Sequence, residues 1–371
     1  MAEEVRAGYK RTEVGVIPEG WEVVMLASIS SMKSGEGITA ASIDPYSRYR
    51  CFGGNGLRGY TSRYTHDGDY ALIGRQGALC GNVVGVEGEF FASEHAIVVA
   101  ASATTDIKWL TIVLDEMRLN QYSESSAQPG LSVSRLLGLY VAVPPTTIEQ
   151  RAIAEALSEV DALLGALDRL IAKKRDLKQA AMQELLTGRV RLPGFEGEWR
   201  TVPLAAICSM KSGESITNDD IDQFSPYRCF GGNGLRGFVS RFTHDGEHAL
   251  VGRQGALCGN ILRVSGKFFA SEHAIVVTAI PQSDIIWLTH VLESMRLNQY
   301  AESSAQPGLS VVKVLKLCVA APPSRTEQTA IATVLSDMDV ELTALEQRRD
   351  KTRALKQGMM QELLTGRIRL V

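Results

Sequence analysis

The 371-residue chain lacks several features that would place it in a familiar class of protein. No apolar run approaches the ~18 residues that a membrane-spanning helix needs, and the acidic start, Met1–Glu4, has no apolar stretch typical of a secretory signal. The six cysteines include no CxxC pair, so neither a disulfide framework nor a zinc site is expected. We therefore expect a cytoplasmic protein with buried free thiols, no membrane partner and no bound metal.

Sequence signatures of catalysis are also missing. The chain has no P-loop and no dinucleotide-binding fingerprint. Glu94–His95 and His66–Asp67 could serve acid–base chemistry, but His95 stands between an aromatic pair and an apolar run, which favours a hydrogen-bonded structural histidine. A thiol nucleophile made of Cys51 or Cys80 with His95 has no local support. We predict no catalytic residue and a chain that is not itself an enzyme.

The chain has no excess of charge of either sign, since its formal net charge is −3. Most nucleic-acid-binding domains are basic, so this value alone weighs against such a partner. An average over the chain can nevertheless hide strong local fields, so the distribution of charge has to be examined. A hydrophobic share of 45% supports ordinary packed cores, and the length fits two to three domains.

What the sequence does contain is a duplication. A shift of 178 residues places the second half on the first without a gap, and 38 of 49 positions are identical between residues 50–98 and 228–276. A repeat of this length is a whole domain rather than a solenoid unit of 20–50 residues. A tandem pair of nearly equal domains suits a task performed twice on a two-fold symmetric target.

Each repeat has the pattern of a mixed domain followed by a long helix. The apolar runs 70–73 and 96–99 lie between glycines and predict strands, whereas residues 106–121 predict one amphipathic helix. Prolines 144 and 145 then interrupt the chain, and Thr146 with Glu149 has capping-box spacing, as do Ser324 and Glu327. We predict an α+β fold with two mixed α/β domains, at 1–145 and 191–322, and two helices, at 146–190 and 323–371.

The two long helices carry a seam of apolar residues and a polarised charge. Residues 149–168 hold five acids and one base, and residues 169–191 hold two acids and seven bases; the second helix repeats this distribution. Antiparallel pairing sets each acidic half against a basic half, so we predict an antiparallel, pseudo-two-fold coiled coil. The alternative is that each helix packs only on its own domain. The predicted pairing residues are Ile153, Leu157, Val160, Leu164, Leu167, Ile171, Ile331, Leu335, Met338, Leu342 and Leu345.

Several further segments occur in the same order in both halves. In the first half they are 15–21, 53–56, 125–132, 144–153 and 183–188. No single segment is specific, but their order, found twice, resembles the specificity (S) subunit of type I restriction-modification systems. The resemblance covers essentially the whole chain.

That resemblance implies the function of each part. The mixed domains would be target recognition domains that each read one half of a split site in double-stranded DNA. The helices would fix the gap between the half-sites and dock two modification (M) subunits, which carry S-adenosylmethionine, so that this chain binds no cofactor itself. A restriction (R) subunit is an optional further partner. The family usually has two different recognition domains; two nearly identical ones predict an inverted-repeat target.

Base and phosphate recognition calls for particular side chains. Arg and Lys suit guanine, Asn and Gln suit adenine, and Lys, Arg, Ser and backbone N–H groups suit phosphate. The glycine-flanked segments supply these types, although the glycines could equally make only tight turns, with Asn55 capping one of them. The predicted DNA-binding residues are Lys33, Asn55, Arg58, Arg63, Arg75, Gln76, Asn82, Ser125, Ser126 and Gln128 in the first repeat, and Lys211, Asn233, Arg236, Arg241, Arg253, Gln254, Asn260, Ser303, Ser304 and Gln306 in the second.

Differences between the repeats are candidates for any difference between the half-sites. We expect them first at the pairs Asp69/Glu247, Tyr70/His248, Gly85/Arg263, Glu87/Ser265 and Glu89/Lys267. Three other functions stay open from the sequence. They are the specificity component of a related restriction system with a fused nuclease–methyltransferase partner, a coiled-coil scaffold that binds no DNA, and a hydrolase on a duplicated fold. The Pro-Pro pairs lack the preceding Asp or Asn of an adenine methyltransferase motif, so methylation by this chain alone is not expected.

Overall fold

The computed structural model describes residues 6–123, 129–255, 257–302 and 308–370. The chain divides into two compact units, of which the first comprises Met1–Ala166 with Arg349–Val371 and the second Leu167–Arg348. Each unit therefore contains one of the two mixed domains and parts of both long helices. The α+β class predicted from the sequence is confirmed.

The mixed domain of the first unit is built from small sheets. A four-stranded antiparallel sheet has the order β4-β10-β7-β8, a three-stranded sheet has the order β6-β5-β9, and β1-β2 and β3-β11 form antiparallel pairs. Within the three-stranded sheet, β5 runs antiparallel to β6 and parallel to β9. The strands are β1 (Tyr9–Thr12), β2 (Gly15–Pro18), β3 (Glu22–Met25), β4 (Ser30–Ser34), β5 (Tyr49–Gly53), β6 (Gly56–Thr61), β7 (Tyr70–Gly74), β8 (Val83–Val86), β9 (Phe90–Ala92), β10 (Ala96–Ala101) and β11 (Tyr140–Val143).

Helices cover one side of the four-stranded sheet. They are α1 (Leu26–Ile29), α2 (Ile107–Glu116) and α3 (Val133–Leu137), followed by the long helix α4 (Thr147–Leu185). Asp106 begins α2, because its carboxylate accepts the backbone N–H groups of Lys108 and Trp109 at 3.0 Å. Trp109 and Leu110 are at most 1% exposed and belong to a core that also holds Ile153 of α4.

The mixed domain of the second unit repeats this arrangement except for the β1-β2 pair, which has no counterpart among its described strands. Its sheets have the orders β13-β19-β16-β17, β15-β14-β18 and β12-β20. The strands are β12 (Arg200–Pro203), β13 (Cys208–Ser212), β14 (Tyr227–Gly231), β15 (Gly234–Val239), β16 (His248–Gly252), β17 (Ile261–Val264), β18 (Phe268–Ala270), β19 (Ala274–Ala279) and β20 (Cys318–Ala321), and the helices are α5 (Ile285–Ser294), α6 (Val311–Leu315) and α7 (Arg325–Leu363).

The two long helices, α4 and α7, pair antiparallel in each unit, as their charge distribution predicts. In the second unit Lys174 lies 2.7 Å from Glu341, and Lys178 pairs with Asp339. In the first unit Lys356 lies 2.7 Å from Asp161. In each of these pairs a basic residue from the C-terminal half of one helix meets an acidic residue from the N-terminal half of the other.

Some of the predicted seam residues pack into the cores of the mixed domains as well as against the other long helix. Ile153 and Leu157 join the first mixed domain's core together with Leu363 of α7, and Ile331 joins the second core with Leu185 of α4. The first turns of each helix thus pack on their own domain and on the end of the other helix. Among the predicted pairing residues, Ile153, Leu157, Leu167, Ile171, Ile331, Leu335 and Leu342 are buried, whereas Val160, Leu164, Met338 and Leu345 are half-buried.

Only half of each predicted capping box forms. Thr146 accepts the backbone N–H of Glu149 at 3.2 Å, and Ser324 accepts that of Glu327 at the same distance. The glutamate side chains do not complete the box, because they bind arginines instead: Glu149 binds Arg369, and Glu327 binds Arg191. The prediction of complete capping boxes at Thr146 and Ser324 is therefore wrong. An arginine far away in sequence binds each glutamate carboxylate, which then does not accept the backbone N–H of the capping residue.

The single helix predicted over residues 106–121 is also wrong in part. Helix α2 ends at Glu116, Arg118 adopts the left-handed conformation with φ 47°, and a 3-10 turn covers Leu119–Tyr122. The turn lies against Gly81, where an added Cβ would come within 2.3 Å of the backbone nitrogen of Asn120. Helix α2 therefore ends where the chain packs closely against Gly81, although the helical spacing of apolar residues in the sequence continues beyond Glu116.

The cysteines are free, as expected, but they are not all buried. Cys51, Cys80, Cys208, Cys229 and Cys258 are buried, whereas Cys318 on the short strand β20 is exposed. None of the helices in the described part of the chain combines the length and apolar character needed to cross a bilayer.

Candidate nucleic-acid interface

A tight hairpin carries two of the predicted DNA-binding residues. Strands β5 and β6 pair Gly53 with Gly56, so the turn between them consists of Gly54 and Asn55. Asn55 and Arg58 are both exposed. The left-handed φ of 84° at Gly56 is a conformation that a side chain would disfavour. The hairpin therefore presents an amide and a guanidinium close together at its tip.

The loop after β7 packs directly against this hairpin. A Cβ on Gly74 would lie 2.4 Å from the carbonyl oxygen of Gly54, and one on Gly54 would lie 2.9 Å from that of His95. The glycines thus do more than make turns: they let three backbone segments touch. The backbone N–H of Arg75 donates to the carbonyl of His95 at 2.9 Å and fixes the start of the loop.

A third segment closes the loop from the other side. The N–H of Leu131 donates to the carbonyl of Arg75 at 2.9 Å, and Gln76 forms an isolated antiparallel bridge with Gly130. The backbone of Gln76 is therefore held between two neighbours, while its side chain remains exposed. Ser125, Ser126 and Gln128, predicted in the segment just before this bridge, lie outside the described residues.

These segments enclose an open hollow of about 390 Å³. Asn55, Arg58 and Gln76 line it, together with Leu79 and His95. Leu79 is 49% exposed. Two amides, a guanidinium and an apolar side chain are the groups that discriminate base pairs in the major groove, where leucine can contact the methyl group of thymine.

His95 lines the hollow, a placement that the sequence did not predict. We expected a structural histidine, but its side chain is 47% exposed, and its Nε2 atom lies 3.3 Å from Glu94 Oε1. His95 lies in a β-turn between β9 and β10, and this turn directs its imidazole outward. The aromatic and apolar residues on either side of His95 gave no sign of the turn. The structural histidine is His66, whose ring stacks on Phe90 at a centroid distance of 5.4 Å, and burial lowers its pKa.

The second unit has the same framework. A Cβ on Gly252 would lie 2.6 Å from the carbonyl of Gly232, the N–H of Arg253 donates to His273 at 2.9 Å, and Gln254 forms a bridge with Gly308. The residues that correspond to the lining of the first hollow are Asn233, Arg236, Gln254, Leu257 and His273. Ser303, Ser304 and Gln306 again lie outside the described residues.

Other predicted residues lie outside the hollow's lining. Arg63 pairs with Glu36 at 2.8 Å and covers the ring of Phe91 at 4.6 Å, and Arg241 repeats both contacts with Glu214 and Phe269. A guanidinium engaged on both sides has less freedom to reach a base. The ion pair between Arg63 and Glu36 could not be predicted from neighbouring residues, because Glu36 is 27 residues away in the sequence.

The remaining predicted residues are exposed or half-buried but separate from the hollow. Arg75, the neighbour of Gln76 in the loop, does not line the hollow and donates to Ser34 Oγ at 3.2 Å. Lys33 is an exposed residue of β4, and Asn82 has an exposed side chain next to Gly81. In the second unit the corresponding residues are Arg253, Lys211 and Asn260, the last two of which are exposed.

The differences between the repeats that we singled out do not line the hollow. Asp69, Tyr70, Gly85 and Glu87 line a different groove, of about 540 Å³, together with α2 and Ser158 of α4. In the second unit Arg263 lines a groove beside α5 and α7. These four positions of the first repeat and Arg263 of the second therefore belong to surfaces next to the long helices.

In the second unit, the imidazole of His290 lies between the carboxylate of Glu293 and the hydroxyl of Ser336. His290 lies 3.2 Å from Glu293 through Nδ1 and 3.5 Å from Ser336 Oγ through Nε2. Ser336 is in the interior of α7, where backbone N–H groups bond within the helix and offer no oxyanion hole. Among the described residues, no group of three or more His, Cys, Asp or Glu side chains is placed to hold a metal ion.

Comparison with known proteins identifies the family. The model for the type I restriction modification DNA specificity domain matches residues 18–173 and again residues 196–353. Together these two matches cover most of the chain. The chain belongs to the type I restriction-modification specificity family. The two matched segments begin near Trp21 and Trp199, at equivalent places in the two repeats.

Curated relatives agree with this assignment over part of their length. The chain is 49% identical to the type I restriction enzyme EcoprrI specificity subunit of Escherichia coli over 150 residues, which are 39% of this chain and 36% of that protein. A putative specificity subunit of Haemophilus influenzae is 25% identical over 148 residues, or 39% of this chain and 38% of that protein. Each match thus spans well under two thirds of the relative.

Solved structures show the same fold. The S subunit of a type I restriction-modification system from M. genitalium superposes with a TM-score of 0.74 and 18% identity, covering 92% of this chain and 96% of that one. A chain from work on complex assembly and conformational transition of the type I R-M system gives a TM-score of 0.53 with 13% identity, covering 95% of this chain and 99% of that one. At these identities the likeness concerns the fold alone.

Proposed function

We propose that this chain is the DNA sequence-recognition subunit of a type I restriction-modification enzyme and is not catalytic itself. One observation carries the proposal: the hollow that brings Asn55, Arg58 and Gln76 together in the first repeat. The same three residue types stand at the equivalent positions 233, 236 and 254 of the second repeat. Each repeat thereby offers a compact group of base-reading side chains.

The proposed reading mechanism follows from the chemistry of these side chains. Gln76 and Asn55 can each form paired hydrogen bonds with the N6 and N7 atoms of adenine, and Arg58 can do so with O6 and N7 of guanine. The exposed side chain of Lys33 suits phosphate oxygens, and contacts with phosphate position the protein without reading sequence. Domain 1–145 would read one half-site and domain 191–322 the other.

The long helices supply the second part of the proposal. Helical segments 146–190 and 323–371 form an antiparallel pair, so their length fixes the gap between the half-sites. Exposed apolar residues remain on the paired helices, among them Leu177 at 47%, Val340 at 69% and Leu355 at 59%. We propose that this surface docks two modification subunits, which bind S-adenosylmethionine and methylate the DNA, and that a restriction subunit is an optional further partner.

Mapping of DNA methylation tests the proposal. The chain is co-expressed with a modification subunit of the same restriction-modification system, and N6-methyladenine is located across the host genome by single-molecule sequencing. We expect a split motif with a fixed gap and closely related halves in inverted orientation, because the two recognition domains are nearly identical. A motif with unrelated halves would contradict the inverted-repeat prediction while leaving the recognition function intact.

Substitutions show whether the hollow reads the motif. Gln76→Ala should relax one half of the motif and Gln254→Ala the other, each by the loss of one paired contact. Gln282→Ala is the matched control, because Gln282 is an exposed glutamine that follows the end of β19, whereas His273 precedes the start of that strand. A methyltransferase that is active yet methylates no motif would favour the scaffold. A motif produced only with a partner that fuses nuclease and methyltransferase would indicate the related restriction system.

A further inference from the structure

Arg58 and Arg236 occupy the same position in the two recognition domains but not the same environment. Both follow the hairpin turn at its second strand, β6 or β15. Their aliphatic stems lie over the same glycine, since a Cβ on Gly53 would come 2.5 Å from Arg58 Cδ and one on Gly231 would come 2.8 Å from Arg236 Cδ. The difference lies in the guanidinium groups.

The guanidinium of Arg236 is held by a neighbouring side chain. Its Nη2 atom donates to Asn218 Oδ1 at 2.9 Å, and its Nη1 atom is buried without a hydrogen-bond partner among the described residues. Arg58 is more exposed and forms no hydrogen bond or ion pair with any described part of the chain. The residue equivalent to Asn218 in the first repeat is Ala40, whose methyl group cannot accept a hydrogen bond.

Asn218 is positioned by a short, capped turn. The turn covers Asn218–Asp220, and Thr217 and Asp220 form a capping box in which the Thr217 hydroxyl donates to Asp220 Oδ2 at 2.6 Å. The first repeat has a 3-10 turn at the same place, Ala40–Ser42. The backbone path is therefore shared, and the side chain at the first position of the turn differs.

Recognition of guanine by arginine requires two N–H groups that point together at O6 and N7. Arg58 has both terminal nitrogens available. Arg236 has one terminal nitrogen bonded to Asn218 and the other out of contact with solvent. Releasing Arg236 for a base would break the bond to Asn218, which reduces the gain from the new contact.

We propose that Asn218 holds Arg236 back from the DNA, so that the first recognition domain reads a guanine that the second does not. The target is then an inverted repeat with one asymmetric position: a G·C pair specified in one half and unspecified at the matching place in the other. This inference rests on the proposed function of the chain, and it assigns Ala40 and Asn218 as specificity-determining residues that act through the arginine.

Reciprocal substitutions at the two turns test the inference. Asn218→Ala should free Arg236 and add a specified guanine to the second half-site, with a discrimination of roughly 5- to 100-fold against the other bases. Ala40→Asn should tether Arg58 and relax the matching position of the first half-site by a similar factor. Both variants are compared with the wild type by the methylation map and by selection of bound sequences from a randomised DNA pool, using the assembled methyltransferase.

Asp219→Ala is the matched control, because Asp219 is an exposed residue in the same turn as Asn218. It should leave the motif unchanged, and thermal unfolding of all three variants should match the wild type. A wild-type motif that specifies this pair equally in both halves, or a motif that Asn218→Ala does not alter, would overturn the inference while the recognition function stands. Absence of any motif in the wild type would overturn both.

Discussion

Arg191 binds both carboxylate oxygens of Glu327, with Nε and Nη2 at 2.9 and 2.7 Å, and Glu327 is only 1% exposed. Trp199 Nε1 donates to the same carboxylate at 3.2 Å. The hydrogen bonds that Arg191 donates to the Glu327 carboxylate raise the pKa of the guanidinium. Arg191 follows the end of α4 and Glu327 lies in the first turn of α7, so the ion pair joins the end of one long helix to the start of the other. Arg369 and Glu149 repeat it in the first unit.

Removal of this arginine should destabilise the second unit. We expect Arg191→Met to lower the free energy of unfolding by clearly more than Arg189→Met does, because it leaves the carboxylate of Glu327, which is 1% exposed, without its cation. The measurement is urea denaturation followed by circular dichroism. Arg189→Met is the matched control: Arg189 is 68% exposed and lies 3.7 Å from Glu184, so its loss should cost less than about 1 kcal/mol. Equal stability of the two variants would contradict the argument.

Gly74→Ala should damage the contact between the hairpin and the loop that form the hollow. The new methyl group would meet the carbonyl oxygens of Gly54 and Leu79 at 2.4 and 2.6 Å, and backbone atoms cannot move aside cheaply. We expect a loss of about 1–3 kcal/mol in the free energy of unfolding.

Gly37→Ala provides the comparison for this effect. An added Cβ there has no neighbour within 4 Å, and Gly37 does not have a left-handed φ. It should therefore change stability by less than about 0.5 kcal/mol. If thermal denaturation shows the same melting temperature for Gly74→Ala and Gly37→Ala, the close contact of Gly74 with Gly54 and Leu79 does not contribute to stability.

The large-scale architecture of this protein could be predicted from its sequence because its signals are periodic or repeated. The step of the apolar seam from Ile153 to Ile171 marks a long helix, and the separation of acidic from basic halves gives the antiparallel pairing. Both signals sum over tens of residues, so one exceptional position does not change the result.

The details that were missed depend on contacts between residues far apart in sequence. Glu149 has capping-box spacing, but its carboxylate binds Arg369, 220 residues away. Arg63 stands among candidate DNA-binding residues, but Glu36 and Phe91 engage it. Local pattern reading assigns such side chains to their sequence neighbours. Asn55, Arg58 and Gln76, which the sequence suggested as DNA-binding residues, lie together in the hollow, whereas the place of His95 in its lining was missed.

Arg118→Gly should stabilise the first unit. Arg118 has φ 47° and ψ 60° just after α2, in the left-handed region where glycine is favoured. Relief of about 1–2 kcal/mol of backbone strain exceeds the roughly 0.4–1 kcal/mol that glycine adds to the entropy of the unfolded chain. We expect a net gain of about 0.5–1 kcal/mol in the free energy of unfolding. Arg118→Ala keeps the strain and should show no such gain, so equal effects of the two variants would exclude the backbone explanation.

The Cys208 thiol should make the second unit sensitive to alkaline pH. Burial raises the pKa of Cys208 to about 12, well above the roughly 8.5 of a free thiol. Cys208 Sγ donates to the carbonyl of Leu204 at 3.3 Å, and Ser30, the equivalent residue of the first unit, donates to Leu26 at 2.7 Å. Serine therefore fits this position and makes the same bond without an ionisable thiol.

Because the thiol stays protonated in the folded state while the unfolded chain loses the proton, its contribution to stability is complete below about pH 8.5 and is lost as pH rises towards 12. The wild type should lose up to about 1.4 kcal/mol per pH unit relative to Cys208→Ser above pH 9. Urea denaturation of both proteins at pH 7.5 and pH 10 measures this difference. A constant difference between the two pH values would show that the thiol ionises as readily in the folded protein as in the unfolded chain.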